Sequence, residues 1–170
     1  LTKKRFIILL IVVVASSVVG FFYYAQHGEF TKWSHTSLNR QLLEGGETYY
    51  IDYLIRWEGV GTPILEKIEF IKKDGTKVTN DDKQFLIEAF ASKEQYGSVN
   101  EETAIQKGII NQLSPINGYK VNDDFTLVMK VKLKSNEITN DISSLKVTYN
   151  KLGVNAVQNI SFDDGIVADE

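Results

Sequence analysis

Cysteine is absent from the 170 residues, so the chain has no disulfide, thiolate metal centre, cysteine nucleophile or lipid-modified cysteine. Histidine occurs only at His27 and His35, too few for a histidine metal centre or a catalytic triad. Acidic residues are missing from positions 1–24, where Lys3, Lys4 and Arg5 are the only charges. The other 146 residues carry 16 basic and 22 acidic side chains, a balance of −6 inside the chain total of −3. That acidic balance disfavours nucleic acid as a partner. The one basic row, Lys130, Lys132 and Lys134, reads as the solvated face of a strand. Motifs of nucleophilic or metal-dependent hydrolysis are also missing: no G-x-S-x-G, no H-E-x-x-H and no S-x-x-K beside a plausible helix. Gly59-Val60-Gly61 lacks the later glycine and lysine of a phosphate-cradling loop. The length suits one domain with a short appendage.

Phe6 to Tyr24 is what stands out. These 19 residues carry no charge, and only Ser16, Ser17 and Gly20 are not strongly apolar. As a helix the segment spans about 29 Å, close to the ~30 Å hydrocarbon core of a bilayer. Lys3, Lys4 and Arg5 precede it and are expected on the cytoplasmic side by the positive-inside rule. Phe21, Phe22, Tyr23 and Tyr24 form an aromatic belt where it leaves the lipid. Ala15-Ser16-Ser17 also fits a signal-peptide cut. Cleavage there would leave VVGFFYY as an exposed apolar start, so an uncleaved signal-anchor is the preferred reading and secretion after cleavage the alternative. Ser16 and Gly20 have the spacing of a helix-pairing motif, which is common by chance.

The rest of the chain alternates. From Thr48 to Trp57, Tyr49, Ile51, Tyr53, Ile55 and Trp57 share one face of a strand, and Tyr50, Asp52, Leu54 and Arg56 the other, with Tyr50 expected outward. Ile64–Lys72 is a second strand, returned by a turn at Lys73-Asp74-Gly75-Thr76. Phe125–Leu133, Leu145–Tyr149 and Val154–Phe162 repeat the period-two pattern. Between them, Asn80-Asp81-Asp82 suggests a cap for a helix carrying Phe85, Leu86, Ala89 and Phe90, although the same letters also suit a strand; residues 81–113 are ambiguous. Residues 92–103 read as a polar loop.

The expected fold is mainly β: one N-terminal transmembrane helix, then an antiparallel β-sandwich with room for one or two short helices. The arrangement resembles the immunoglobulin-like domains tethered to bacterial surfaces; the likeness is architectural and carries over no functional residue. The division is 1–5 cytoplasmic, 6–24 anchor, 25–44 juxtamembrane linker, 45–166 outer domain and 167–170 tail. Phe30 and Trp33 in the linker suit either lipid headgroups or docking on the domain. Abundant Ile, Lys and Asn, 44 residues together, suggest an AT-rich genome and a Gram-positive bacterium.

Two groups are candidates for a site. Asp81 and Asp82, Asp123 and Asp124, and Asp163 and Asp164 offer hard oxygens of the type calcium takes, but no stretch follows a calcium-loop pattern, and turn chemistry is the simpler account. Tyr49, Tyr50, Tyr53 and Trp57 would stack on sugars if exposed, but core packing is the simpler account of the three on the alternating face. No catalytic residue, cofactor or metal is singled out. The expected role is a membrane-anchored, extracytoplasmic binding module, with the bilayer and an envelope protein or cell-wall component as partners. The alternative is an envelope enzyme or a ligand- or carbohydrate-binding carrier.

Overall fold

The computed structural model describes residues 3–34, 38–39, 46–135, 139–162 and 165–168. Helix α1 runs Lys3–Gln26, with every side chain from Lys3 to Tyr24 exposed. Ser17 Oγ donates to the Val13 carbonyl at 2.9 Å, so this hydroxyl is satisfied within the helix. The last helical bond, His27 N to Tyr23 O at 3.0 Å, is followed by Gly28 at φ +128°, where the chain turns into the domain.

Strands β1 (Glu29–Lys32), β2 (Leu38–Asn39), β3 (Thr48–Glu58), β4 (Ile64–Lys72), β5 (Phe85–Ser92) and β6 (Ser98–Asn100) follow. Helix α2 (Glu101–Gln106), a 3-10 turn at Ile109–Gln112 and strands β7 (Ser114–Pro115), β8 (Asp124–Leu133), β9 (Ile142–Lys151), β10 (Val154–Ser161) and β11 (Val167–Ala168) complete the order. The larger antiparallel sheet runs β1-β3-β8-β5-β7, and β6 shares with β1 one edge of β3. The smaller is β10-β9-β4, also antiparallel. A two-residue parallel pair joins β11 to β2.

The two larger sheets share one core. Alternation places Ile51, Tyr53, Ile55 and Trp57 of β3, and Phe125, Leu127, Met129, Val131 and Leu133 of β8, against Leu65 and Phe70 of β4 and Leu145, Val147 and Tyr149 of β9. Ile160 and Phe162 also turn inward. All but Leu65 sit at positions the period-two pattern selects; a bulge between Leu65 and Lys67 shifts the register of β4, so that Leu65 and Phe70, five positions apart, both face the core.

The ambiguous middle resolves into strand, loop and helix. Residues 85–92 pair with β8 over their whole length, from Phe85↔Leu133 to Ser92↔Thr126. Phe85, Ile87, Ala89 and Ala91 meet the main core and Phe90 the other face. The helical spacing of Phe85, Leu86, Ala89 and Phe90 yields to the pairing offered by the edge of β8. Asp82 still caps, but as a turn: its Oδ1 accepts Gln84 N at 2.8 Å and Phe85 N at 3.0 Å. Within the stretch read as a loop, β6 forms and Asn100 Oδ1 accepts Thr103 N at 3.0 Å to cap α2.

Tyr50 departs from expectation. It lies on the face of β3 away from the main core, yet only 3% of it is exposed. It sits in a second apolar cluster with Ala104, Ile109 and Val128, where α2 and the 3-10 turn fold over the large sheet. Asp52, beside it, holds this cover down by accepting Tyr96 N and, at 2.9 Å, Gly97 N. Alternation specifies which face a residue takes; it does not specify whether that face is wet.

Residues 29–32, in the stretch the sequence assigns to a linker, form β1 and pair with β3 from Glu29↔Glu58 to Lys32↔Ile55. Phe30 accordingly docks in the core, 2% exposed, while Trp33 stays open to solvent with the Arg56 guanidinium 3.5 Å from its ring centroid.

Tyr50→Ala is expected to lower the unfolding free energy of the detergent-solubilised chain by about 3 kcal/mol, the scale for emptying a buried aromatic site. An exposed strand tyrosine would change it by less than about 0.5 kcal/mol. Urea titration followed by tryptophan fluorescence distinguishes the two.

Candidate functional site

Helix α1 carries most of the large apolar side chains left exposed among the described residues. Lys3–Ala25 has the length and composition of a membrane-crossing helix or a signal sequence, and none of its apolar window is buried in protein. Lys3, Lys4 and Arg5 lie in its first turn; Phe21, Phe22, Tyr23 and Tyr24 lie toward its end, all exposed. Tyr23 stacks on His27 with ring centroids 5.2 Å apart, and Phe21 meets Phe22 edge-on at 5.9 Å.

Beyond Tyr24 the helix meets the domain. Ala25 is 2% exposed. Lys151, the last residue of β9, donates its Nζ proton to the His27 carbonyl and lies 5.1 Å from the Trp57 ring centroid and 5.8 Å from that of Tyr24. Burial pulls its ammonium below the ordinary lysine range. Two glycines make room for the Trp57 indole: a Cβ at Gly28 would fall 2.4 Å from Trp57 Cζ2, and one at Gly59 2.6 Å from the same atom. Phe30 packs on Trp57 at 4.9 Å and on Tyr149 at 5.1 Å.

The Gln158 side-chain amide closes the adjacent side. Its Oε1 accepts Phe30 N at 2.6 Å and its Nε2 donates to Phe30 O at 2.7 Å, so one side chain on β10 bridges to β1 as a neighbouring strand would. No motif in the residue order marks this joint. One signal for Lys151 was available, since it falls in the inward row Leu145, Val147, Tyr149.

The paired aspartates do not converge. Asp81 and Asp82 lie beyond the end of β4 that is remote from α1, where Asp82 Oδ2 meets Lys72 Nζ at 2.5 Å. Asp123 and Asp124 lie at the other end, near the helix: the Asp123 carbonyl accepts Trp57 N at 2.7 Å and Asp124 stands opposite Arg56. The ten residues of β8 separate the two pairs by about 30 Å. Asp163 and Asp164 are outside the described residues. Among the described residues no cluster of three or more histidine or carboxylate side chains is placed to hold a metal ion. The aromatic group does not form an open platform either. Tyr49, Tyr53 and Trp57 are in the main core, and Tyr50 is under α2.

Two further surface features are ionic. A shallow cleft of about 630 Å³ at the distal end is lined by Lys72, Asp81, Asp82, Lys83 and the threonines of neighbouring loops. On the outer face of β4, Glu69 accepts from Lys67 at 2.8 Å and from Lys77, with Lys146 at 4.0 Å. These lysines hold the Glu69 carboxyl down at about 2.

No protein-family model, curated protein or solved structure matches the chain.

Two outcomes are expected from this geometry. Gly59→Val places side-chain atoms where Trp57 sits and lowers the melting temperature, whereas Gly20→Val, with helical backbone and nothing within 4 Å of its Cβ position, does so less; thermal melts of the two variants decide it. The Glu69 carboxyl falls from 4.5 in the unfolded chain to about 2 in the folded one, so it contributes stability above pH 4.5 that is lost as pH falls toward 2. Glu69→Gln is expected to flatten that part of the acid-unfolding curve.

Proposed function

We propose that the chain is a single-pass membrane protein whose outer domain binds a partner in the bacterial envelope. In this reading residues 6–24 cross the bilayer as an uncleaved signal-anchor, with Lys3, Lys4 and Arg5 on the cytoplasmic side. Residues 45–166, with β1 added to their sheet, form an extracellular immunoglobulin-like β-sandwich. The envelope is that of a Gram-positive bacterium, and the partner is an envelope protein or a cell-wall component.

The observation that carries the proposal is the contrast between α1 and the rest. The β domain completes its own core from two sheets and needs nothing from the helix before Ala25. Phe6 to Val14 nevertheless remain about half exposed or more, as a continuous apolar surface with no protein against it. Water would penalise that surface heavily and hydrocarbon would not. The helix also satisfies its own backbone, as a lipid-facing segment must. The basic start, with no acid in the first 24 residues, supports the orientation.

Such an anchor acts by confinement. It holds the domain in a thin layer next to the membrane and raises its effective concentration for any partner fixed there. The polar outer faces and shallow clefts fit a surface that docks on another macromolecule better than one that encloses a small substrate.

Protease added to wall-stripped cells is expected to digest the β domain of the full chain and leave the helix with the membrane pellet. A domain protected from protease would reverse the orientation, and a full-length soluble product would remove the anchor. Replacing Val12 and Val13 by aspartate adds about 2.5–3.5 kcal/mol per charge at the middle of the span and is expected to move the chain out of the membrane fraction.

A further inference from the structure

The turn between β9 and β10 is built from the wrong residue for water. Val154 pairs with Lys151, leaving Leu152 and Gly153 as a two-residue hairpin loop. Their φ angles are +54° and +80°, so both are left-handed, the type I′ geometry that selects Asn-Gly. Leu152 is the only non-glycine residue with positive φ among the described residues. A β-carbon is strained there, and the leucine gains no core packing in exchange: it is 51% exposed and belongs to neither apolar cluster.

Its position gives it a partner. Val60, 57% exposed between Gly59 and Gly61, tips the neighbouring β3–β4 loop. The Cβ position of Gly61 is 3.8 Å from Lys151 Cδ, that of Gly59 is 2.7 Å from Gly28 Cα, and Lys151 bonds His27 O. Both aliphatic tips therefore flank the point where α1 enters the domain. Singly exposed aliphatics are ordinary. Two beside the exit of an apolar helix, one of them held in a strained backbone, are not explained by water.

Length decides how far the domain stands from lipid. Only His27 and Gly28 separate α1 from β1. From Tyr24 in the aromatic belt to Gly28 the rise is about 6 Å at 1.5 Å per residue. The headgroup layer on each side of a bilayer is about 5–7 Å thick. No slack exists for the base of the domain to leave that layer.

We infer that this base is a membrane-contacting surface, with Val60 and Leu152 seated in the lipid interface beside the helix exit. This rests on the anchor reading given above. The contact restricts the tilt of the domain and directs its distal end, with the Lys72–Asp82 cleft, away from the bilayer.

The native chain has no cysteine, so single thiols can be placed without background. Val60→Cys, Leu152→Cys, Val12→Cys and Thr79→Cys, each carrying the environment-sensitive fluorophore NBD, are reconstituted as full chains in phosphatidylcholine vesicles with and without spin-labelled lipid. The expected result is strong loss of fluorescence at position 12, a clear intermediate loss with a blue shift at 60 and 152, and none at 79. If 12 is quenched while 60 and 152 behave like 79, the contact is refuted and the anchor stands. If 12 is not quenched, the anchor fails and the contact with it. Leu152→Asn gives a second readout. Asparagine tolerates left-handed backbone, so the melting temperature of the chain in detergent is expected to hold or rise while quenching of a label at position 60 falls. A lowered melting temperature would show that Leu152 serves the domain's own packing and would overturn the assignment.

Discussion

The two-residue connection between α1 and β1 governs the arrangement of this protein. Its cause is the burial of Phe30 directly after the turn at Gly28: the ring packs on Trp57, Tyr149 and Phe125, and its backbone is held on both sides, by β3 and by the amide of Gln158. A flexible tether would let the helix and the domain move independently. Here the first strand after the helix is already part of the sheet, so the helix ends where the core begins. Gly28 and Gly59 are required by the same packing, because the Trp57 indole occupies the space their side chains would need.

The domain itself is two antiparallel sheets with a shared apolar centre and a local cover on the outer face of the larger one. That cover shows how charge and apolar burial cooperate. Asp52 anchors the loop at Tyr96 and Gly97 through backbone donors, which brings Ala104 and Ile109 down over Tyr50 and Val128. Lys130, on the same strand face, reaches Glu101 at 3.0 Å, and this raises its ammonium above the ordinary lysine range. Elsewhere buried charges are likewise paired: Lys72 with Asp82, and Glu69 with its lysines.

Much of this was legible from residue order. β3 and β8 each carry five alternating apolar positions on one face, and β9 carries Leu145, Val147 and Tyr149, a period of two that no helix shares. The apolar length of α1 was equally plain. β5 was not, because Phe85, Leu86, Ala89 and Phe90 satisfy helical spacing as well as strand spacing, and only the long-range pairing with β8 chooses between them. β1 was hidden because four residues, EFTK, carry no pattern of their own. The acidic pairs illustrate the opposite problem. Their repetition in sequence suggested one site, but β8 runs between the first and the second, and distance along a strand cannot be seen as separation in space until the strand's direction is known. The joint at Lys151 was missed for a third reason: a lysine at the end of an apolar row reads as solvated unless something at the far end of the chain comes to meet it.

The amide of Gln158 bears on solubility. A sheet edge with free backbone donors and acceptors is a template on which a second copy can add a strand. By engaging both polar groups of Phe30, Gln158 turns the facing margins of β1 and β10 toward each other, so on that flank a neighbouring copy meets side chains in place of an open backbone ladder.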